Sequence, residues 1–294
     1  MKKNEAESIA IIKNCNMSHI TEDVEKGISL TGGLKLNPAD VVVIKPNLCA
    51  IKGCETGATT DPRVVEGIIR CLQEKFGINN IYIVESDGGQ VLADMAFKLL
   101  GYERLAKKTN AKLLNLSKSP FSMKTFPNNV FLKKIRVPAI IESAKCFISV
   151  PKIKTHMACL ITATLKNQYG CNPFPRKPIY HKRLDDAIVD LNFAFKPNLI
   201  VVDGIVAMEG NGPVDGMPLR MNTLIVGRDP VAVDHLVTKI MGINPRKVNH
   251  LMKAEKRGLG STIYETVGIS PKSVERKFRT EPPRWHNLYG LFYA

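Results

Sequence analysis

The stretch from 150 to 170, VPKIKTHMACLITATLKNQYG, holds the densest group of side chains in this sequence that could do chemistry. It contains three lysines and a histidine, with an asparagine beside the last lysine: Lys152, Lys154, His156, Lys166 and Asn167. An ammonium group can bind a carboxylate or phosphate, or act as a base when its pKa is lowered. A histidine can transfer a proton or ligate a metal. A solvated surface loop could carry the same residues, so the functional interpretation depends on what the rest of the chain brings to this place.

Polar side chains also follow other apolar, β-branched runs that are typical of buried strands. The runs and the polar residues after them are 41–44 with Lys45 and Asn47, 81–84 with Glu85 and Asp87, 146–150 with Lys152, Lys154 and His156, and 198–202 with Asp203. In an open α/β sheet the ligand binds beyond the carboxyl ends of the parallel strands. We therefore expect these residues to meet in one crevice, with 152–156 as a basic loop and Asp203 at the end of its strand.

Roles follow from the residue types. His156, Lys152 and Lys45 are the predicted catalytic residues, with His156 as acid or base. The predicted substrate-binding residues are Asn47, Lys154, Lys166, Asn167, Gly210 and Gly212, and a divalent metal is assigned to Asp203 and Glu209. The alternative for Lys45 and Lys152 is an ion pair with Asp203 or Glu85 that only holds loops together.

The elements that must position these residues alternate between strand and helix patterns. This alternation predicts an α/β fold with a mainly parallel sheet covered by helices on both faces. The best-marked helix runs from 62 to 76, with a cap before Pro62 and Gly77 at its end. A polar helix around 21–28 has Thr21 as its expected cap. Residues 117–137 break the rhythm and predict a β-hairpin or flap insertion.

A glycine-rich loop at 208–216 follows the strand that we expect to end at Asp203 and Gly204. Gly210 and Gly212 would let the backbone approach a ligand closely. The spacing fits neither a Walker A loop nor the dinucleotide fingerprint.

The chain has 294 residues, with 42 Lys plus Arg against 27 Asp plus Glu, a formal charge of +15. Such a charge attracts anions, whether small carboxylates and phosphates or nucleic acid. We expect an α/β core domain over 1–245 and a basic helical extension and tail over 246–294. The basic residues expected to contact phosphates in the nucleic-acid alternative are Arg246, Lys247, Lys253, Lys256, Arg257, Lys272, Arg276, Lys277 and Arg279.

Seven cysteines occur without a CxxC pair, which argues against a disulfide scaffold, a zinc ribbon and a ferredoxin-type cluster motif. A metal or iron-sulfur cluster bound by scattered cysteines stays open. The apolar runs are too short to span a bilayer. We expect a cytoplasmic protein without a membrane partner.

Several spaced motifs together resemble the conserved prokaryotic family labelled domain of unknown function 362. They are KPN at 45–47, TTDP at 59–62, PKIKTH at 151–156, LKN at 165–167, DGI at 203–205, MEG at 208–210 with GP at 212–213, and DPVAVD at 229–234. The resemblance implies an α/β protein of the prokaryotic cytoplasm whose relatives often carry an appended ferredoxin-type domain, and hence a suspected redox role. This chain has no CxxCxxC run after residue 245, so electrons would come from a ferredoxin-like partner or from a cluster bound by scattered cysteines.

The sequence thus predicts an enzyme for a small anionic substrate, with a reductive or iron-sulfur-linked reaction suggested only by the resemblance. The alternatives are a nucleic-acid-binding protein and a scaffold that docks to an iron-sulfur partner through its basic face.

Overall fold

The computed structural model describes residues 6–88, 91–174 and 176–280. Its strands are β1 (Glu7–Lys13), β2 (Val42–Pro46), β3 (Ile81–Glu85), β4 (Lys112–Asn115), β5 (Phe121–Thr125), β6 (Lys134–Pro138), β7 (Cys146–Val150), β8 (Lys152–His156), β9 (Leu160–Thr162), β10 (Leu199–Glu209), β11 (Met217–Gly227) and β12 (Tyr264–Gly268). Its helices are α1 (Ile20–Leu30), α2 (Pro62–Phe76), α3 (Ala93–Leu99), α4 (Tyr102–Thr109), α5 (Ala139–Ser143), α6 (Thr164–Asn167), α7 (Leu184–Ala194), α8 (Pro230–Ile240) and α9 (Asn249–Lys256). Short 3₁₀ turns connect several of them.

Ten strands form one mixed sheet in the order β12-β1-β11-β10-β7-β2-β3-β4, with β8 beside β10 and β9 beside β8. The central strands β10, β7, β2, β3 and β4 run parallel to one another. β11 is antiparallel to both of its neighbours. The predicted α/β class with a mainly parallel sheet is confirmed.

Apolar side chains fill both faces of this sheet. Ile9 and Ile11 of β1 belong to one buried cluster, and Ala10 and Ile12 belong to the other. Side chains alternate between the two faces of a strand, so the two clusters lie on opposite sides of the sheet. The cluster with Ile9 includes residues of α7, α8 and α9, and the other includes residues of α1 to α4. The sheet is therefore covered on both faces, as predicted.

The boundaries of α2 follow from its end residues. The carboxylate of Asp61 accepts the Arg63 N–H at 2.9 Å, and Pro62 occupies the first turn. Gly77 ends the helix at φ +67, a left-handed conformation that glycine adopts at little cost. The predicted bounds of 62–76 are confirmed. The expected cap of α1 is wrong, because the helix begins at Ile20 and Thr21 lies inside its first turn.

The predicted hairpin insertion is confirmed as a separate two-stranded sheet, in which Phe121 pairs with Pro138 and Thr125 pairs with Lys134.

Two predictions near the site are wrong. The expected basic loop at 152–156 is the strand β8, whose Lys-Ile-Lys-Thr-His sequence has the period of two that suits a strand. The strand expected to end at Asp203 continues to Glu209 as β10. β10 pairs first with β7 and then with β8, and its register shifts between Gly204 and Val206. A Cβ on Gly204 would lie 2.8 Å from the Ile153 side chain, so the absence of one permits this crossing.

Residues beyond 245 pack on the same sheet. β12 pairs in parallel with β1, and Val248, Leu251 and Phe278 belong to the apolar cluster that contains Ile9. Residues 281–294 of the predicted tail lie outside the described residues. Within the described part of the chain, no helix is both long and apolar enough to cross a membrane.

Candidate functional site

A cavity of about 240 Å³ opens beyond the carboxyl ends of β2 and β3, with β8, α6 and the turn after α6 as its other walls. It brings together six of the predicted site residues: Lys45, Asn47, Lys154, His156, Lys166 and Asn167. Among the residues that the structure describes, four lysines line it against a single carboxylate, that of Glu85. The cavity is therefore strongly electropositive.

Lys45 forms the ion pair that the sequence left open. Its Nζ lies 2.6 Å from Glu85 Oε2 and donates to the Pro46 carbonyl at 2.7 Å, and the side chain is 1% exposed. A Cβ on Gly170 would lie 2.6 Å from Lys45 Cε and 2.8 Å from Glu85 Oε1. Because Gly170 has no Cβ, the Lys45–Glu85 pair can pack against it at the cavity wall.

Lys154 lines the cavity, but its donors are already used. Its fully buried Nζ donates to Ala58 O at 2.6 Å, Asn47 Oδ1 at 3.1 Å and Pro213 O at 3.2 Å. It also lies 3.1 Å from the exposed Cys49 Sγ. An ammonium group has three protons, so these partners saturate it. Lys154 therefore joins the loop after β2 to the loop after β10, and burial lowers its pKa.

Asp234 fixes the start of the segment that carries Lys166 and Asn167. Its buried carboxylate accepts the Thr164 N–H at 2.7 Å and the Leu165 N–H at 2.9 Å. Burial raises the pKa of Asp234 to about 6. These two hydrogen bonds fix the start of α6 relative to α8.

Asn167 connects the ends of β2 and β7. Its Nδ2 donates to Lys45 O at 3.2 Å and to Ser149 Oγ at 3.0 Å, and its Oδ1 accepts from Asn47 Nδ2 at 3.2 Å. Asn47 and Asn167 are therefore held in a buried network that shapes the floor of the cavity.

Lys166 has a different environment. Its Nζ lies 4.3 Å from the centroid of the Tyr169 ring, and no side-chain hydrogen bond or ion pair joins it to any residue that the structure describes. Burial lowers its pKa, and the charge of Lys45 adds to this effect. The ring face favours the ammonium form instead.

His156 is held as a neutral imidazole. Its Nδ1 accepts the Ala158 N–H at 3.1 Å, so the proton of the ring lies on Nε2. Burial, with Lys166 and Lys154 adding repulsion, holds its pKa well below the usual range. His156 thus presents an N–H donor in the cavity lining.

Sequence reasoning missed Lys177 and Ser86. Lys177 is 6% exposed, its Nζ donates to Ser86 Oγ at 2.5 Å, and burial lowers its pKa to about 8. It lies in the proline-rich segment after α6, where neither strand-end position nor helical period marks a residue. Ser86 follows Glu85 at the end of β3, so the strand-end pattern could have identified it.

The other predicted residues lie outside the cavity lining. Lys152 Nζ is 3.0 Å from Asp203 Oδ2, and both side chains are fully buried. Asp203 also accepts the N–H groups of Asp61 at 2.8 Å and Ile205 at 3.0 Å. Inside β10, Asp203 is the register partner of Lys152 in β8, so the two side chains meet each other away from the crevice.

Glu209 ends β10, and Gly210 and Gly212 belong to the loop that follows beside the cavity. Glu209 Oε2 accepts the Arg279 N–H at 2.9 Å, and Gly210 N–H donates to Arg279 O at 2.8 Å. A Cβ on Gly212 would lie 2.1 Å from the Thr155 carbonyl oxygen. Gly212 therefore lets the loop pack directly on β8, and the adjoining Pro213 reaches the cavity wall.

Residues 42–239 match the family model described as Domain of unknown function (DUF362). The chain belongs to this family. The described residues that line the cavity lie within the matched segment of this DUF362 protein.

Two known proteins are similar to the DUF362 chain. The thylakoid-associated protein sll1697 of Synechocystis sp. is 27% identical over 237 residues, covering 78% of this chain and 72% of that protein. The lactate racemase apoprotein from Thermoanaerobacterium thermosaccharolyticum has 12% sequence identity and a TM-score of 0.42, covering 82% of this chain and 58% of the racemase. The DUF362 chain thus spans less than two thirds of the racemase, and a likeness at this level carries no information on the substrate.

A metal or iron-sulfur cluster does not fit the described residues of the DUF362 protein. No three histidine, cysteine or acidic side chains among them are grouped to hold a metal ion. Burial raises the thiol pKa of six cysteines to about 11 or 12, namely Cys15, Cys54, Cys71, Cys146, Cys159 and Cys171. Metals bind the thiolate, so these thiols are poor ligands.

Proposed function

We propose that this DUF362 protein is an enzyme that binds a small carboxylate or phosphate substrate in the lysine-lined cavity. The observation that supports the proposal is the excess of lysines over carboxylates in its wall. A fixed group of ammonium donors in a partly dry site binds carboxylate and phosphate oxygens through charge-assisted hydrogen bonds. The volume of about 240 Å³ is below the usual range for drug-sized ligands, which favours a substrate of few heavy atoms.

The donors left over by the protein's own contacts identify the binding groups. The Lys45 ammonium donates to two protein acceptors, which leaves one N–H for a ligand. The Lys177 ammonium donates to one protein acceptor, which leaves two N–H groups. Lys166 keeps its full set, and His156 offers its Nε2–H. The anion is therefore held by Lys45 and Lys177, with Lys166 and His156 facing it, whereas Lys154 and the two asparagines build the wall.

The same groups supply acid-base chemistry. A catalytic acid or base works best when its pKa lies near the working pH, and Lys177 has a pKa of about 8. Lys177 exchanges the proton with the bound substrate. His156 stays neutral and donates a hydrogen bond to an oxygen that gains negative charge.

Anion binding to the whole protein tests this proposal. Isothermal titration calorimetry with acetate, pyruvate, malonate and inorganic phosphate should find at least one ligand. Lys177→Gln should lower the affinity for that ligand about tenfold or more. Lys182→Gln, on the exposed surface of the same segment, should leave the affinity unchanged.

The pH dependence gives a second measurement of the same site. Lys177 is a cation below its pKa of about 8, so wild-type affinity should fall as the pH rises through that value. The Lys177→Gln protein should lack this fall. Absence of binding by all four anions, or equal binding by the two variants, would contradict the proposal.

The nucleic-acid and docking alternatives, and a ferredoxin-like electron donor, stay predictions. Three of the basic residues named for phosphate contacts are paired with carboxylates, Lys253 with Asp186, Arg257 with Asp190 and Arg279 with Glu209. Affinity for duplex DNA or RNA that falls steeply with salt would support the nucleic-acid alternative.

The cytoplasmic location also stays a prediction. Attachment to a membrane surface, suggested by the description of the Synechocystis relative, is its alternative. Cell fractionation with a salt wash distinguishes the two.

A further inference from the structure

Lys166 is the lysine of the cavity whose amine is not engaged by the protein. Lys45 is bound by Glu85 and a carbonyl, Lys154 by three oxygens, and Lys177 by Ser86. Among the described residues, Lys166 contacts only the face of the Tyr169 ring through its Nζ. A nitrogen that is held in a cavity without hydrogen-bond acceptors is free to approach a substrate atom.

The surroundings of Lys166 favour a nucleophilic amine. Three further lysines share the same wall, and burial disfavours a fourth charge in so small a volume. The imidazoles of His156 and His181 are kept uncharged by burial, so they add no counter-charge that would stabilise an ammonium. A lysine beside other cations in a buried site is the arrangement that activates amines for attack on carbonyl carbon.

We propose that Lys166 forms an imine with a 2-oxo carboxylate. This inference rests on the proposed function, because the carboxylate is held by Lys45 and Lys177. The adjoining carbonyl group of the same small molecule is the electrophile for Lys166.

The step is balanced without an oxidant or reductant. The neutral Nζ adds to the carbonyl carbon, so that a C–N bond forms, the carbonyl π bond breaks and the oxygen takes up a proton. The nitrogen then loses a proton, the hydroxyl takes up a proton and leaves as water, and the nitrogen lone pair forms the C=N bond. The product is the protonated imine, which becomes the neutral imine when the nitrogen releases its remaining proton. An amine and an oxo acid become an imine and one water, and the protonated imine draws electrons from the neighbouring carbon, which makes bonds to that carbon easier to break.

Reductive trapping tests this in the full-length protein. Pyruvate and 2-oxobutanoate are each added with sodium cyanoborohydride, and the product is measured by intact mass and peptide mapping. The reduced adduct adds the mass of the oxo acid less one oxygen atom. We expect Lys166 to be labelled at least about tenfold more than the exposed Lys182, and malonate to suppress the labelling of Lys166 but not of Lys182.

The outcomes separate this inference from the proposed function. Labelling at Lys177, or equal labelling of Lys166 and Lys182, overturns the imine. If acetate or malonate still raises the melting temperature in that case, the anion cavity stands without the imine; if neither does, the proposed function fails as well. Lys166→Arg should abolish the specific adduct, and because the mapping is done on wild-type protein the result does not depend on whether that variant folds.

Discussion

At the scale of single residues, the chain uses two buried lysine-carboxylate pairs for different purposes. Lys45 and Glu85 lie at the cavity wall, where one ammonium proton remains for a ligand. Lys152 and Asp203 lie inside the sheet and are fully buried. This pair joins β8 to β10, and the Asp203 carboxylate also accepts the Asp61 N–H at the start of α2. The second pair is therefore a structural connection.

Removing the cation of this second pair should destabilise the fold. Lys152→Met leaves a buried carboxylate without its counter-ion, which typically costs about 3–5 kcal/mol of the free energy of unfolding. Urea denaturation measures this loss. The double variant Lys152→Met with Asp203→Asn should recover part of it, because the charge is then gone as well. A loss below about 1 kcal/mol for Lys152→Met would show that the pair contributes little.

Residue types alone could predict that lysines, asparagines and His156 meet, but not which of them bind a ligand. That distinction depends on how many donors the protein itself occupies. Lys154 donates all of its N–H groups to carbonyl and amide oxygens of the protein. Lys177 is positioned at the cavity by its hydrogen bond to Ser86. Both facts depend on the folding of loops that carry no regular pattern.

At the scale of elements, Asp234 on α8 determines where α6 begins. Its native pKa of about 6 is higher than that of an aspartate in the unfolded chain, near 4. Between these values the folded protein binds the proton more tightly, so the free energy of unfolding falls as the pH rises from about 4 to about 6. The change is on the order of 3 kcal/mol.

Asp234→Asn should remove that contribution, because the amide does not titrate. Urea denaturation at several pH values should show the wild-type advantage shrinking between about pH 4 and about pH 6. The amide has one oxygen for two N–H donors, so the variant should also lose about 1–3 kcal/mol where Asp234 is ionised. A pH-independent difference between the two proteins would contradict the raised pKa.

The loop after β10 is held on β8 by a glycine. Gly212→Ala places a Cβ 2.1 Å from a backbone oxygen, which forces the loop away from the strand. We expect a loss of about 2 kcal/mol or more in urea denaturation, with weaker anion binding because Pro213 moves with the loop. Gly210→Ala is the matched control, since it meets nothing within 4 Å and only its φ of +77 is unfavourable, at about 1 kcal/mol. An equal or larger loss at Gly210 would refute the packing argument.

Elements with their own end signals could be predicted from the sequence, and those defined by distant partners could not. α2 has Asp61, Pro62 and Gly77 at its ends. β10 has Asp203 and Gly204 in its middle, which favours a strand end by local rules. Its continuation depends on pairing with β8, and no local pattern contains that information.

At the scale of the whole molecule, the described segment from 246 to 280 packs in the same apolar cluster as residues before it. Six apolar side chains of this segment lie in the core: Val248, Leu251, Ala254, Leu259, Val274 and Phe278. Burying each of the larger side chains contributes about 1.5–3 kcal/mol. The sum over this segment is comparable to the roughly 5–15 kcal/mol by which a typical domain is stable against unfolding.

A chain that ends at residue 245 should therefore not fold cooperatively. Circular dichroism during heating and size-exclusion chromatography should show a broad transition and association through the exposed core face. A chain that ends at residue 280 keeps α9 and β12 and is the control, and we expect it to melt as one unit. A cooperative transition in the shorter chain would instead support the division predicted at 245.

The net charge of +15 indicated an anionic partner from composition alone. Where that charge is used could not be predicted, because many cations are neutralised by neighbouring carboxylates, as Lys253 and Arg257 are. The described lining of the cavity has one acidic side chain for four lysines, so most of its positive charge is not neutralised.

The phenol ring under Lys166 makes the cavity optically observable. The Lys166 nitrogen lies over the face of the Tyr169 ring, and this ring runs parallel to the His181 ring, at an angle of 5°. An aromatic transition shifts when a nearby charge is moved or neutralised. Binding of an anion in the cavity can therefore be followed by near-ultraviolet difference spectroscopy of the Tyr169 ring, without attaching a dye.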